Sequence, residues 1–345
     1  MTLSHPLAAD LDGALEGAED DIRAIAGGRL FIAGGTGFVG TWLAELLVWA
    51  VERMALDLQV VALTRSADSW MRRHPRLASS GVITPVEGDA RTFAFPVGAF
   101  EIVVLGASST DHAWTTAHPE VVTDTITNGT KRGLEFADAA GASRTLLLSS
   151  GAVYGRQPPA LESLGETYVG EPSTADAYGR AKRAAEALAL TWSRPDHPAV
   201  VARIFSVYGP YQPIDTHFAI GNFIADALAG RPVTVRSDGS PVRSYLYGSD
   251  LAVALLACLA RGAGATAYNV GSADPVRLAD LAVHVASQAS PPVGVRILGP
   301  PAAVADRYVP DVRRITAELR FAPRVELADG IRRTLAFAAT GHRNP

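Results

Sequence analysis

Tyr178-Gly-Arg-Ala-Lys182 sets a phenol and an ammonium four residues apart, with the hydroxyl pair Ser149-Ser150 upstream. On a helix, residues at this spacing lie one above the other, so both heads can reach one site. A free phenol has a pKa of about 10 and is a poor base near neutrality. A cation beside it stabilises the phenolate and brings that pKa toward the working range. With a serine hydroxyl to hold the oxygen whose proton moves, this set can exchange a hydride at a carbinol carbon once a hydride carrier is present.

The elements around the set supply the carrier's site. Arg29-Leu-Phe-Ile-Ala33 reads as a buried strand, Gly34-Gly-Thr36-Gly37-Phe38-Val39-Gly40 as a glycine loop, and residues 38–54 as a helix. Glycines in this context allow a tight turn, close approach of backbone to a pyrophosphate, and close helix–strand packing, while the helix N-terminus offers amide donors. A dinucleotide is expected there. The second strand, Gln59-Val-Val-Ala-Leu63, leads into Thr64-Arg65-Ser66, with no carboxylate to read a ribose 2′-hydroxyl. Arg65 can pair with a 2′-phosphate and Thr64 and Ser66 can hydrogen-bond it, so NADP is preferred and NAD is the alternative. Asp89 falls where a carboxylate can meet the adenine or can serve an ordinary turn. The small residues Gly106-Ala107-Ser-Ser109 follow a strand at Glu101–Leu105, and Ala107 is expected against the cofactor.

Composition narrows the class. The 345 residues carry a net charge of −4, which gives no electrostatic case for nucleic acid or anionic membrane. The one cysteine, Cys258, lies in an apolar run and cannot form an intramolecular disulfide, so a reducing cytoplasm is expected. The acidic N-terminus is no signal peptide, and the apolar windows near 42–51 and 251–260 are too short or too polar for a span. No Cys/His cluster has metal spacing, and no Gly-x-Ser-x-Gly elbow marks a hydrolase.

Apolar strands alternating with helices argue for an α/β fold, a doubly wound parallel sheet covered on both faces, with a smaller interleaved C-terminal substrate domain. Further strands are expected at 82–86, 144–148 and 199–203, and helices at 120–140 and around Tyr178. Residues 1–28 read as an acidic lead-in with one short amphipathic helix. Residues 29–208 form the dinucleotide-binding domain, to which 244–272 return. Residues 209–243 and 273–345, rich in Pro, Gly and Arg at their start, form the substrate domain with a helix near 217–229 and a strand near 232–236.

In these motifs the chain resembles the extended short-chain dehydrogenase/reductase family, in its nucleotide-sugar epimerase/dehydratase branch. The glycine loop, Leu148-Ser-Ser-Gly-Ala-Val-Tyr-Gly155, Tyr178-x-x-x-Lys182, Arg203-Ile-Phe-Ser-Val-Tyr-Gly-Pro210, Arg243-Ser-Tyr-Leu-Tyr-Gly-Ser-Asp250 and Tyr268-Asn-Val-Gly-Ser272 occur in family order. The resemblance implies that Ser150 is the catalytic hydroxyl with Ser149 its neighbour, Tyr178 the base, and Lys182 the residue that binds the nicotinamide ribose and lowers the tyrosine's pKa. It implies that Arg243 and Arg307 bind a substrate diphosphate, a task suited to guanidinium, and that Ser206 replaces an asparagine that touches substrate. It also implies a homodimer paired through helices like those at 120–140 and 178–192.

One departure bears on the reaction. Dehydratases of the branch follow the catalytic hydroxyl with Asp-Glu, and here Gly151 and Ala152 stand instead. The expectation is therefore a nucleotide-sugar epimerase working through a transient 4-keto intermediate; an atypical 4,6-dehydratase, a 4-keto-sugar reductase and an oxidative decarboxylase are the alternatives. A cofactor-sensing protein without turnover is disfavoured by retention of both Tyr178 and Lys182. His112 and His118 are candidates for the cleft, each with a solvated-loop alternative. His217 and Asn222 can bind sugar or phosphate, or serve capping and packing.

Overall fold

The computed structural model describes residues 5–108, 112–171, 176–214 and 218–340. Seven strands build the main sheet: β1 (Arg29–Ala33), β2 (Gln59–Thr64), β3 (Ile83–Glu87), β4 (Ile102–Leu105), β5 (Arg144–Ser150), β6 (Ala199–Ile204) and β7 (Thr266–Val270). Their order is β7-β6-β5-β4-β1-β2-β3, and every neighbouring pair is parallel. The chain winds outward from β1 through β2 to β3, then returns to β4 on the other side of β1. This reversal opens a crevice above the carboxyl ends of β1 and β4, the place where open α/β sheets bind ligands.

Alternation along the strands divides the core in two. Phe31, Ala33, Val103, Leu105, Leu147 and Val201 point to one face, with α4 (Pro119–Ala140) and α5 (Ala177–Trp192). Leu30, Ile32, Val104, Leu146, Leu148 and Val200 point to the other. That second face is covered by α1 (Ala8–Ile25), α2 (Phe38–Met54) and the helix Gly248–Arg261. The strands expected at 29–33, 59–63, 82–86, 101–105, 144–148 and 199–203 are all present within two residues at either end.

The N-terminal segment departs from expectation. It is an 18-residue helix, not a short one, and its Leu11, Ala14, Ala18 and Ile22 are buried in the larger core. Its acidic residues are structural. Asp21 pairs with Arg261 through contacts of 2.6 and 2.8 Å, and Asp10 accepts from the Tyr247 hydroxyl while pairing with Arg333. Burial of a Leu or Ile side chain is worth about 1.5–3 kcal/mol, so α1 belongs to the fold energetically.

The remainder gathers around α6 (Ala219–Leu228), the helices Leu278–Gln288, Arg313–Leu319 and Leu327–Ala339, and small ladders. In one of these, Val242–Arg243 pairs with Arg307–Tyr308 in parallel, so Tyr308 lies beside Arg243 and Arg307 beside Val242. Among the described residues, no helix is long and apolar enough to cross a membrane.

Candidate active site

The glycine loop lies between β1 and α2 as its sequence requires. Gly34 has φ +88°, and a Cβ there would lie 2.6 Å from the backbone of Gly106 and Ala107, so its lack of a side chain brings the β1 and β4 loops together. Gly40 is pressed against Gly35 in the same way. Gly37 differs. It is the exposed N-cap of α2, a Cβ added there would meet nothing within 4 Å, and no side chain caps the helix's first amides. Thr36, Phe38 and Val39 are half-buried around it. Open space over free amides at a helix N-terminus fits a dinucleotide pyrophosphate. Ala33, Gly106, Ala107, Thr130 and Lys182 line one small cavity between the strand ends and the helices α4 and α5.

At the ribose end, Arg65 is exposed at the end of β2. Ser66 caps α3 (Ala67–Arg73) by accepting from the Ser69 amide at 3.3 Å, and the Thr64 hydroxyl donates to the Ser66 carbonyl at 3.3 Å. Thr64 and Ser66 therefore shape the turn from which Arg65 projects. Asp89 forms a pair with Arg91 at 2.6 and 2.8 Å, which holds its carboxyl near pKa 2. An adenine contact would have to share a carboxylate already held by that guanidinium.

Ser150 is the last residue of β5, and its Oγ accepts from the Ala152 amide at 3.2 Å as it caps the single 3-10 turn Gly151–Tyr154. Asp176 starts α5 by accepting from the Gly179 amide at 2.7 Å, which sets the rotation of the helix. Tyr178 on its first turn reaches back to the Ser150 hydroxyl and to Ser108 beyond β4. Burial pushes the phenol's pKa up, and the hydrogen bonds to Ser150 and Ser108 oppose that rise.

Lys182 is buried, and its Nζ donates to the Leu148 carbonyl at 2.7 Å, 5.7 Å from the Tyr178 ring centre. Burial lowers its pKa to about 8, with Glu186 acting the other way, so it remains mostly charged at neutral pH. The expected depression of the tyrosine by Lys182 is thus not built into the protein alone: the ammonium is held by the Leu148 carbonyl, and burial raises the phenol's pKa.

One expected substrate contact is corrected, and the two expected phosphate-binding arginines are set apart. The Ser149 hydroxyl is buried and donates to Glu186 at 2.5 Å, so it is not offered to a substrate. Successive strand residues face opposite sides, so Ser149 turns away from the side Ser150 serves. Arg243 and Arg307 do not form a joint clasp. Adjacent positions in their ladder put them on opposite faces; Arg243 pairs with Asp306 at 2.5 Å, and Arg307 reaches the Glu162 carbonyl at 3.4 Å. Ser206 is half-buried after β6, its carbonyl accepting from Leu246, and Asn222 is half-buried near the start of α6. His217 lies outside the described residues, and of the side chain of His112 nothing is described. His118 is exposed, bonded to the Trp114 carbonyl at 3.0 Å and stacked on the Trp114 ring, so it is not a cleft residue.

Glu186, Ser108 and Tyr308 were missed. Glu186 continues the stripe 178, 182, 186 at helical spacing, a legible signal, and it binds Arg203 at 2.7 Å. Ser108 is in the small-residue loop already singled out. Tyr308, whose hydroxyl lies beside Gly151 and Ser150, is 130 residues from Tyr178 and carried no local signal.

A parallel doubly wound sheet, a dinucleotide cradle at its switch point, and a Ser–Tyr–Lys set at the adjoining strand end define a nucleotide-cofactor enzyme of the tyrosine–lysine type. The model of the NAD dependent epimerase/dehydratase family matches residues 30–271, and the chain belongs to that family. It is 28% identical over 311 residues to UDP-glucuronic acid decarboxylase 3 of Arabidopsis thaliana, covering 88% of this chain and 86% of that protein. Among solved structures, the epimerase Mth375 of Methanothermobacter thermautotrophicus superposes with a TM-score of 0.79 at 22% identity, covering 98% and 97% of the two chains. DesIV, a dTDP-glucose 4,6-dehydratase of Streptomyces venezuelae solved with NAD, does so with a TM-score of 0.77 at 24% identity, covering 92% and 99%.

Proposed function

We propose that this protein epimerises a nucleotide-diphosphate sugar at C4 through a transient 4-keto sugar. The observation that carries this reading is the empty chemistry beside Ser150: Gly151 and Ala152 bear no acid or base, while the Ser150–Tyr178–Lys182 set is complete. Epimerisation needs only a proton and a hydride exchanged at one carbon, whereas elimination needs an additional acid and base.

The nicotinamide dinucleotide, when bound, supplies the hydride acceptor and donor. The protein's residues do the rest. The α2 amides and Gly37 would hold the pyrophosphate, and Lys182 would orient the adjoining ribose. Ser150 holds the C4 oxygen, and Tyr178 takes the hydroxyl proton as the carbinol becomes a ketone. After the sugar presents its other face, Tyr178 returns the proton. Arg243 reaches a substrate phosphate by exchanging its Asp306 partner.

Oxidative decarboxylation is the second reading, favoured by the likeness to plant UDP-glucuronic acid decarboxylase. Mass spectrometry and NMR of products from a panel of nucleotide sugars separate the two. Inverted stereochemistry at unchanged mass supports epimerisation, loss of CO₂ from a glucuronate replaces it with decarboxylation, and loss of water sinks both.

For the cofactor, the family description and the NAD in DesIV favour NAD, while exposed Arg65 favours NADP. Arg65→Ala is expected to weaken NADP binding about 10- to 100-fold and leave NAD within about twofold, a lost phosphate contact being worth around 1.5–3 kcal/mol when charge-assisted. Equal affinities for NADP before and after substitution, measured by fluorescence titration, would remove Arg65 from the site. A homodimer pairing through α4 and α5 in the cytoplasm completes the reading, supported by Val121 and Leu188, each 40% exposed on those helices. A monomeric mass in sedimentation would overturn the pairing.

A further inference from the structure

Tyr308 is a second phenol at the Ser150 hydroxyl, and the proton chemistry assigned to Tyr178 makes no use of it. It stands on the short strand Arg307–Tyr308, beside Arg243 across the ladder, with its ring 4.6 Å from that of Phe205. Its hydroxyl lies over Gly151: a Cβ on that glycine would overlap the phenolic oxygen and come within 2.8 Å of the Phe205 ring. Position 151 is therefore glycine because Tyr308 occupies the volume next to Ser150 that a side chain there would enter.

The hydrogen-bonding capacity of Ser150 then limits the directions two such bonds can take. A serine hydroxyl has one hydrogen and two acceptor sites. The Ala152 amide takes one acceptor site of Ser150 at 3.2 Å, and two phenols, Tyr178 and Tyr308, stand beside the same oxygen. One hydrogen cannot serve both. Tyr308 must donate if Ser150 is to give its hydrogen to Tyr178.

We infer that Tyr308 is a positioning residue, donating to Ser150 Oγ so that the Ser150 hydrogen is aimed at the Tyr178 oxygen or at the substrate oxygen bound there. Burial raises the Tyr308 pKa, so this donor keeps its proton throughout the working range. The groups facing the pair are Lys182 and Asp176 at α5, Arg243 from the neighbouring strand and Tyr154 from the 3-10 turn. Lys182 keeps most of its charge near neutrality, and the Tyr154 phenol, pushed up to about 12, stays protonated. The inference rests on Tyr178 being the base of the proposed reaction.

The test is the phenolate titration of Tyr178 with NAD bound, followed by NMR of ring-labelled tyrosine and identified by its loss in Tyr178→Phe. Tyr308→Phe should raise that midpoint by roughly half a pH unit or more, because a hydrogen bond that supports the charged form is weakened. It should also move the acid limb of kcat/KM upward and lower kcat several-fold with KM nearly unchanged. In a Ser150→Ala background Tyr308→Phe should add no shift, since the two act through one bond. An unmoved midpoint, or an equal shift without Ser150, overturns the positioning role; a raised KM with an unmoved limb makes Tyr308 a substrate contact instead. Turnover retained in Tyr178→Phe would fail the base assignment itself, whatever Tyr308 does.

Discussion

Tyr178→Phe is expected to lower kcat by about 10²–10⁴-fold, the range that general acid–base catalysis supplies, while NAD affinity and thermal stability change little. The substitution removes one oxygen. The ring stays against the core beside Lys182, and Lys182 keeps its bond to the Leu148 carbonyl. The Ser150 and Ser108 hydroxyls each lose one hydrogen-bond partner at a site open to the cleft, where water can replace it. A large activity loss with intact cofactor binding would place the phenol in the proton transfer. A fall of less than about tenfold at saturating substrate would mean that another group takes the C4 proton.

Glu186→Ala is expected to be the most destabilising single change near the site, at about 3–5 kcal/mol, read as a lowered urea midpoint. Glu186 is buried, and its carboxylate meets the Arg203 guanidinium through contacts of 2.7 and 3.1 Å and the Ser149 hydroxyl at 2.5 Å. Arg203 is itself mostly buried and also donates to the Tyr154 hydroxyl at 2.8 Å. Removing the carboxylate strands that guanidinium and leaves Ser149 without its acceptor. It also withdraws the anion that supports the charge on Lys182, so the lysine pKa should fall further and activity should weaken at the alkaline side first. Glu186→Gln, which keeps hydrogen-bond acceptors but not charge, should lose less. A loss under about 1 kcal/mol for Glu186→Ala would show that the pair adds little to stability, as exposed pairs do.

These two substitutions also mark where sequence reading succeeds. Tyr178, Lys182 and Glu186 share one stripe because helical geometry repeats every 3.6 residues, and that is legible without coordinates. The strand limits were legible because apolar runs bounded by glycines and polar turns have few other solutions in a parallel sheet. Direction of side chains was less legible. Ser149 and Ser150 are chemically alike, and only the pleat of β5 sends one to Glu186 and the other to the cleft. Arg243 and Arg307 likewise looked like partners until their ladder put them on opposite faces.

The Tyr178–Lys182 pair, the glycine loop and the bare Gly151-Ala152 step were determined by the sequence itself, because each is local and its meaning depends on spacing along one element. The state of the pair was not. Its phenol is held up in pKa by burial, its lysine is bound to a strand carbonyl, and its serine is shared with Tyr308, all of which arise from segments far apart in the chain. Electrostatic environment and hydrogen-bond direction depend on everything packed within a few ångströms, and only the tertiary structure decides what that is.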